Sequence, residues 1–164
     1  MGASWKARLK DTLFVRAFGL FKVPMLFYIS PVVAEITEQR CVVKVPLNFR
    51  TKNHLGSMYF GVLAAGADCA GGLIAMRLIH EGGNQVNLIF KDFHAEFLKR
   101  AEGDTYFTCE DGPGITDLVK RAVETGERVE MPVKIVATTP RKLGDEPVAK
   151  FTLTLSLKKK SAQT

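Results

Sequence analysis

Apolar positions along the chain follow two periodicities, and one stretch follows neither. From Leu55 to Met76 almost every residue is apolar or small, and Asp68 is the only formally charged side chain. A helix here is apolar on all sides and must be buried all round. Its positions three, four and seven residues from Asp68 include Gly61, Ala64, Ala65, Gly71 and Gly72, which share the acid's face. The carboxylate therefore lies in a trough of small residues, while Tyr59, Phe60, Leu63, Leu73, Ile74 and Met76 occupy the other faces. Such a trough admits a close-packed backbone or a ligand. Burying a lone carboxylate is costly. Asp68 is thus either a functional acid or one satisfied by backbone N–H groups or a structural cation. The stretch is long enough to span a bilayer, but its central acid and the lack of a second long apolar run argue against a span.

Residues 4–22 repeat at helical spacing. Trp5, Leu9 and Leu13 form one stripe, Phe14, Phe18 and Phe21 lie beside it, and Lys6, Arg8, Lys10 and Arg16 alternate around them. Pro24 ends this helix. The helix is expected to cap an open face of the domain, although a basic, aromatic helix can also lie on a membrane. Two alternating segments, 32–37 and 41–47, read as a hairpin, and a polar loop from Asn48 to His54 leads into the central stretch. A long strand follows from Val86 to Leu98, whose apolar parity slips at Lys91-Asp92 and so predicts a bulge. After a short strand from Thr105 to Glu110, Ile115, Leu118, Val119, Ala122 and Val123 predict a helix closed by Gly126. Two last strands centre on Val129–Ala137 and Phe151–Leu157, and Pro132 places the first of them at an edge or a bulge.

The order is helix, two strands, buried helix, two strands, helix, two strands. That predicts an α+β fold, with a curved antiparallel sheet wrapped around a long central helix and an extra N-terminal helix. No repeat, low-complexity linker or composition break divides the chain. Residues 1–164 read as a single domain, with 1–24 as the N-terminal helix and 158–164 as a basic tail.

The net charge of +6 favours anionic partners. Without basic motifs interleaved with aromatics, nucleic acid is not expected, and a phosphorylated small molecule suits the charge equally well. Cys41, Cys69 and Cys109 have no paired spacing and read as buried free thiols of a reducing compartment. His54, His80 and His94 form no metal spacing. The N-terminus lacks a signal-peptide core, and Lys6 stands where myristoylation needs a hydroxyl, so a cytoplasmic protein without stable membrane insertion is expected.

Asn53-His54-Leu55-Gly56-Ser57, followed by an Ala/Gly-rich helix bearing an acid, resembles the hotdog-fold acyl-coenzyme A thioesterases of the phenylacetate-pathway type. Those proteins carry His-Gly-Gly at the helix start and an Asp or Glu within the helix. The Asn-His-x-Gly-Ser form is more similar still to a less characterised bacterial subgroup. The likeness runs from about Val32 to Leu157. Here Gly56-Ser57 replaces Gly-Gly, and the family's acid position falls at Ala64, one turn before Asp68 on the same face.

The resemblance implies hydrolysis of an acyl-coenzyme A or related thioester by a homodimer or tetramer, with sites between subunits and the 86–98 strand as the pairing element. Neither a metal nor another cofactor is implied, since coenzyme A belongs to the substrate. Helix-start N–H groups at Gly56 would polarise the carbonyl, and Ser57 would cap the helix. Asp68 would activate water or attack directly, while Asn53 and His54 would orient water or carbonyl, or simply hold the loop. Arg50, Lys52, Lys99 and Arg100 are candidates for the phosphates, and Ala64 and Ala65 for the floor under the acyl group. The rivals are a non-catalytic acyl- or acyl-coenzyme A-binding hotdog protein and an acyl hydration chemistry using His94.

Overall fold

A computed structural model describes residues 5–160. In chain order the elements are α1 (Trp5–Lys22), α2 (Pro24–Tyr28), β1 (Val32–Ile36), β2 (Cys41–Val45), α3 (Phe60–Glu81), β3 (Val86–Phe97), β4 (Thr105–Cys109), α4 (Gly112–Thr125), β5 (Val129–Thr138), α5 (Pro140–Leu143) and β6 (Pro147–Lys159). The strands form one six-stranded sheet in the order β1-β2-β4-β5-β6-β3, every neighbouring pair antiparallel. Alternate residues turn Val43, Val45, Phe107, Val133, Ile135, Phe151, Leu153 and Leu155 into the core, and all are buried. The sheet wraps around α3, which touches β2, β3, β4, β5 and β6. This is the hotdog architecture the element order predicts.

The glycines of α3 lower its helix propensity, and packing recovers the loss. A Cβ on Gly66 would lie 2.4 Å from the Phe107 ring, and one on Gly71 would lie 3.2 Å from Ile135 Cδ1. At these points side chains of the sheet come close to the helix backbone. On another side of α3, α4 buries Ile115, Leu118, Val119 and Ala122, and it ends at Gly126 with φ 72°, as the spacing predicts.

The 12-residue β3 lies at the sheet edge, paired with β6 alone. Its register shifts between Phe90 and Phe93, which is the bulge the parity slip predicts. Asp92 holds that bulge by accepting from the Thr154 N–H at 3.1 Å and its hydroxyl at 2.9 Å.

Several expectations are corrected. Helix α3 spans Phe60–Glu81 rather than beginning at Leu55. Pro24 does more than end α1. It opens α2, because proline suits the first helical turn, where its missing N–H costs nothing. Trp5, Leu9 and Leu13 face solvent, and α1 instead buries Thr12 and Val15. β5 is an interior strand, but β4 pairs only with its residues 135–138. The Lys134 N–H points to the β4 side, where it meets Asp111 Oδ2 at 2.7 Å. By parity Pro132 N faces the same unpaired side, so Pro132 sits at a local edge. Strand β1 bulges between Val33 and Glu35, which puts Val33 and Ile36 together in the core. Lys158 and Lys159 belong to β6 rather than to a tail, and residues 161–164 lie outside the described ones.

The closeness of Gly66 to Phe107 sets an expected cost. Phe107 is fully buried and has no room to yield. Gly66→Ala should lower the urea midpoint, by about 1–3 kcal/mol of stability for an overpacked core, with an unchanged m-value. A variant as stable as the parent would show that α3 and β4 are not packed this tightly.

Candidate functional site

The polar segment before α3 is a folded turn. Thr51 is fully buried, and its hydroxyl donates to the Pro46 carbonyl at 2.7 Å while accepting the Asn48 N–H at 2.9 Å. Lys52 and Met58 form an antiparallel bridge. Inside it, Asn53 Oδ1 accepts the N–H groups of Leu55 at 2.9 Å and Ser57 at 3.2 Å, and the Ser57 hydroxyl at 3.3 Å. Gly56 crosses the turn at φ 78°, a conformation open to glycine at no steric cost. Asn53 therefore holds the turn. His54 is exposed at its tip.

Two sequence expectations change here. Ser57 does not cap α3, whose N-cap is the extended residue Tyr59, with no side-chain cap. The Gly56 N–H is already spent on the Asn53 carbonyl at 3.1 Å, the Met58 N–H on Ala101 O at 2.8 Å and the Tyr59 N–H on Thr51 O at 2.9 Å. The first unsatisfied donors fall on Phe60 and Gly61, whose N–H groups have no backbone acceptor among the described residues. Sequence reasoning missed them because the Asn53-to-Ser57 turn displaces the helix start by several residues.

Asp68 sits farther along α3, in a cavity of about 340 Å³. Val15 and Phe18 of α1, with Val23 and Leu26, line it on one side, Leu88, Ile89 and Phe90 of β3 on another, and Cys69, Gly72, Leu73 and Met76 accompany Asp68 on α3. Burial raises the Asp68 carboxyl above its ordinary value, with no cation opposing it. Burial first, and the neighbouring Asp68 charge second, push the Cys69 thiol up to about 12, so it is a poor nucleophile. At 1.5 Å per residue, Phe60 and Asp68 are separated by roughly 12 Å along the helix axis. One protomer therefore does not bring its free helix-start donors and its acid to the same carbonyl.

The remaining candidates gather near the start of α3 rather than at Asp68. Arg50 Nη2 donates to the Ser30 hydroxyl at 2.9 Å, and its guanidinium lies 5.6 Å from the Tyr28 ring centroid and 5.9 Å from that of Phe49. Arg50 thus ties the loop to α2. Lys52 is exposed beside the turn. Lys99 pairs with Glu146, and Arg100 pairs with Glu102 at 3.0 Å, just before the Ala101 carbonyl that meets Met58. Ala64 and Ala65 are half-buried on the helix between the two regions. His94 is exposed, 3.7 Å from Glu96 and apart from the residues lining the Asp68 cavity. Among the described residues no group of three His, Cys, Asp or Glu side chains is placed to hold a metal ion. The cover from α1 is the cap of an open face that the sequence predicts, whereas α2 went unseen, although Pro24 followed by apolar residues is a signal for a second short helix.

A family model described as a domain of unknown function, DUF4442, matches residues 11–157. Among solved structures, a protein of unknown function from Chlorobaculum tepidum superposes with TM-score 0.78 at 12% identity, covering 93% of this chain and 97% of that one. A thioesterase family protein from Silicibacter pomeroyi gives TM-score 0.64 at 17% identity, with coverage of 93% and 99%. A thioesterase from Haemophilus influenzae gives 0.62 at 16%, with coverage of 82% of each chain. At these identities the likeness shows a shared fold. No curated protein matches the chain.

The burial of Asp68 has a thermodynamic signature. Between the ordinary carboxylate pKa and the raised one, the folded chain keeps a proton that the unfolded chain has lost. Stability from this group therefore falls as pH rises through that window and levels off above it. Asp68→Asn removes the slope, so the variant's urea midpoint should improve relative to the parent as pH rises from the ordinary carboxylate pKa, about 4, through the raised one. A difference that stays constant with pH would mean that Asp68 is solvated.

Proposed function

The chain belongs to the DUF4442 family, and we propose that it hydrolyses acyl-coenzyme A, or a closely related thioester, in the cytoplasm, at sites completed by two copies of the chain. The observation that carries this reading is Asp68, an unopposed carboxyl in an otherwise apolar cavity walled by the edge strand β3. An apolar cavity with one convergent titratable group is the usual form of a small-molecule site. Solved proteins that share the fold and are called thioesterases support the same chemistry.

In this mechanism the acyl chain lies in the cavity and Asp68 takes a proton from water as its oxygen adds to the thioester carbonyl. The tetrahedral intermediate then collapses, the C–S bond breaks, and the coenzyme A thiolate recovers the proton. A raised pKa makes the carboxylate a stronger base near neutral pH. The Phe60 and Gly61 N–H groups receive the developing oxyanion. Because these donors and Asp68 are separated along one helix, they come from different protomers. β3 supplies the pairing edge, for an unpaired strand edge is a template for a second strand. Ala64 and Ala65, half-buried on the Asp68 face of the helix, leave room for the acyl group, and His54 orients the water. Arg50, Lys52, Lys99 and Arg100, near the start of α3, meet the phosphates of coenzyme A. Hydrolysis on this route needs no metal or redox group. The separation of donors and acid in one protomer equally suits a non-catalytic acyl-binding protein, and oligomeric state together with turnover distinguishes the two.

Asp68→Asn should lower kcat by ~10²–10⁴-fold with little change in KM, as expected for a group acting in the transition state. Phe60→Pro deletes one donor at a position that tolerates proline and should cost roughly 10²–10³-fold. Each variant alone is nearly inactive, yet co-expression of the two in equal amounts should restore about a quarter of parental activity, because half the dimers are mixed and each mixed dimer holds one intact site. A strictly monomeric mass by light scattering, or no recovery on co-expression, overturns the shared site. Parental turnover by Asp68→Asn overturns the reading as a whole.

A further inference from the structure

The roof of the Asp68 cavity has an outer side with a composition of its own. At 100° per residue, Trp5, Leu9, Leu13 and Leu20 fall on one face of α1. Their exposures are 64%, 50%, 58% and 50%, while Phe21 is 78% exposed and Met25 of α2 57%. A contiguous apolar face of this kind on a helix marks a docking surface rather than scattered surface residues.

Charge selects the occupant. Residues 5–28 carry five cations, Lys6, Arg8, Lys10, Arg16 and Lys22, against one acid, Asp11. Asp11 lies to the inner side, in a groove it shares with Lys10, Phe14, Arg77, His80 and Glu81. On the same wheel Lys6 borders the apolar face, Arg16 is turned to the Pro31 and Ser30 carbonyls, and among the described residues of α1 no carboxylate lies on that face. A second copy docking here would set like charges against each other, at an electrostatic cost. An anionic lipid surface complements both features, because apolar side chains enter the headgroup boundary while lysines and arginines stay among the phosphates.

We propose that the α1–α2 hairpin docks the protein on an anionic membrane surface, with Trp5, Leu9, Leu13, Leu20 and Phe21 facing the lipid. The same hairpin lines the cavity on its inner side through Val15, Phe18, Val23 and Leu26. Docking therefore holds the acyl cavity at headgroup level. Resting on the thioesterase reading, this names the substrate class as long-chain acyl thioesters whose tails partition into a bilayer. The docking itself does not depend on that reading.

Trp5 is the only tryptophan and lies on the docking face. The full-length chain is mixed with unilamellar vesicles of phosphatidylcholine alone or of phosphatidylcholine with phosphatidylglycerol. Trp5 emission should shift to the blue and the protein should co-sediment with the anionic vesicles only, and raising the salt should release it. Leu9→Glu combined with Leu13→Glu should weaken partitioning by at least roughly tenfold, while hydrolysis of a soluble short-chain thioester persists. Asp68→Asn should bind vesicles like the parent, so loss of hydrolysis and loss of docking are read separately. The proposal is overturned if the parent chain ignores anionic vesicles at low salt. It is also overturned if Trp5 is already blue-shifted without lipid and Leu9→Glu with Leu13→Glu dissociates an oligomer, which would assign the face to a second copy.

Discussion

A helix that is apolar over most of its length has little surface to give to water, and much of this molecule is the means of covering α3, which stays open only at its ends and along the half-buried Gly61, Ala64, Ala65 and Asp68. The sheet covers most of it, and the closeness of that cover depends on glycine. At Gly66 the Phe107 ring fills the place of a side chain, and at Gly71 Ile135 and Val133 come nearly as close. A twisted antiparallel sheet can wrap a cylinder only where backbone and side chains meet without obstruction. The small residues of α3 therefore act first as packing devices.

Cover of a different quality lies over Asp68. Strand packing on α3 is continuous, whereas α1 and α2 meet it through a few side chains and leave a cavity of about 340 Å³. Asp68, the one carboxylate in the apolar part of the helix, falls at that weakly packed side. Placed under the sheet it would face Phe107, Ile135 and Val133 with neither solvent nor space. In the cavity it keeps the raised pKa of a desolvated group and the room a substrate requires. The fold thus separates a packed side of α3 from a side available for chemistry, and the separation follows from which elements supply the cover.

How much of this was legible in the sequence varied with the kind of signal. Period-two alternation located the strands, and its slip at Lys91-Asp92 marked the β3 bulge, because each residue of register exchanges the buried and exposed faces. Gly126 marked the end of α4 because a left-handed terminus favours glycine. The start of α3 was obscured because Leu55 to Tyr59 continue the uncharged run, while the Asn53 side chain takes the Leu55 and Ser57 N–H groups into a turn. Composition does not distinguish these outcomes, and one hydrogen-bonding side chain does. Helix α1 misled for another reason. It carries apolar residues around most of its circumference, so periodicity alone did not identify the buried side, which Val15 and Thr12 occupy. Asp68 was legible as a candidate because it is the one charge in a long apolar run, and its distance from the free helix-start donors became visible only once the true helix start was known.

The two surfaces left open by this architecture differ in the group left unsatisfied. The outer edge of β3 leaves backbone N–H and C=O groups without a ladder, a need that another strand meets and a lipid does not. The outer face of α1 has its backbone bonds closed within the helix and leaves only apolar side chains and cations, a need that an anionic interface meets and a strand does not. The Asp68 cavity lies between them, with Leu88, Ile89 and Phe90 from one element and Val15 and Phe18 from the other. On the proposed reading, an acyl chain from the α1–α2 side would reach the acid on one flank, and the oxyanion donors of a second copy would approach from the β3 flank. Neither route needs the packed core of the sheet to open, so a rigid sheet and an accessible site are compatible in the same small domain.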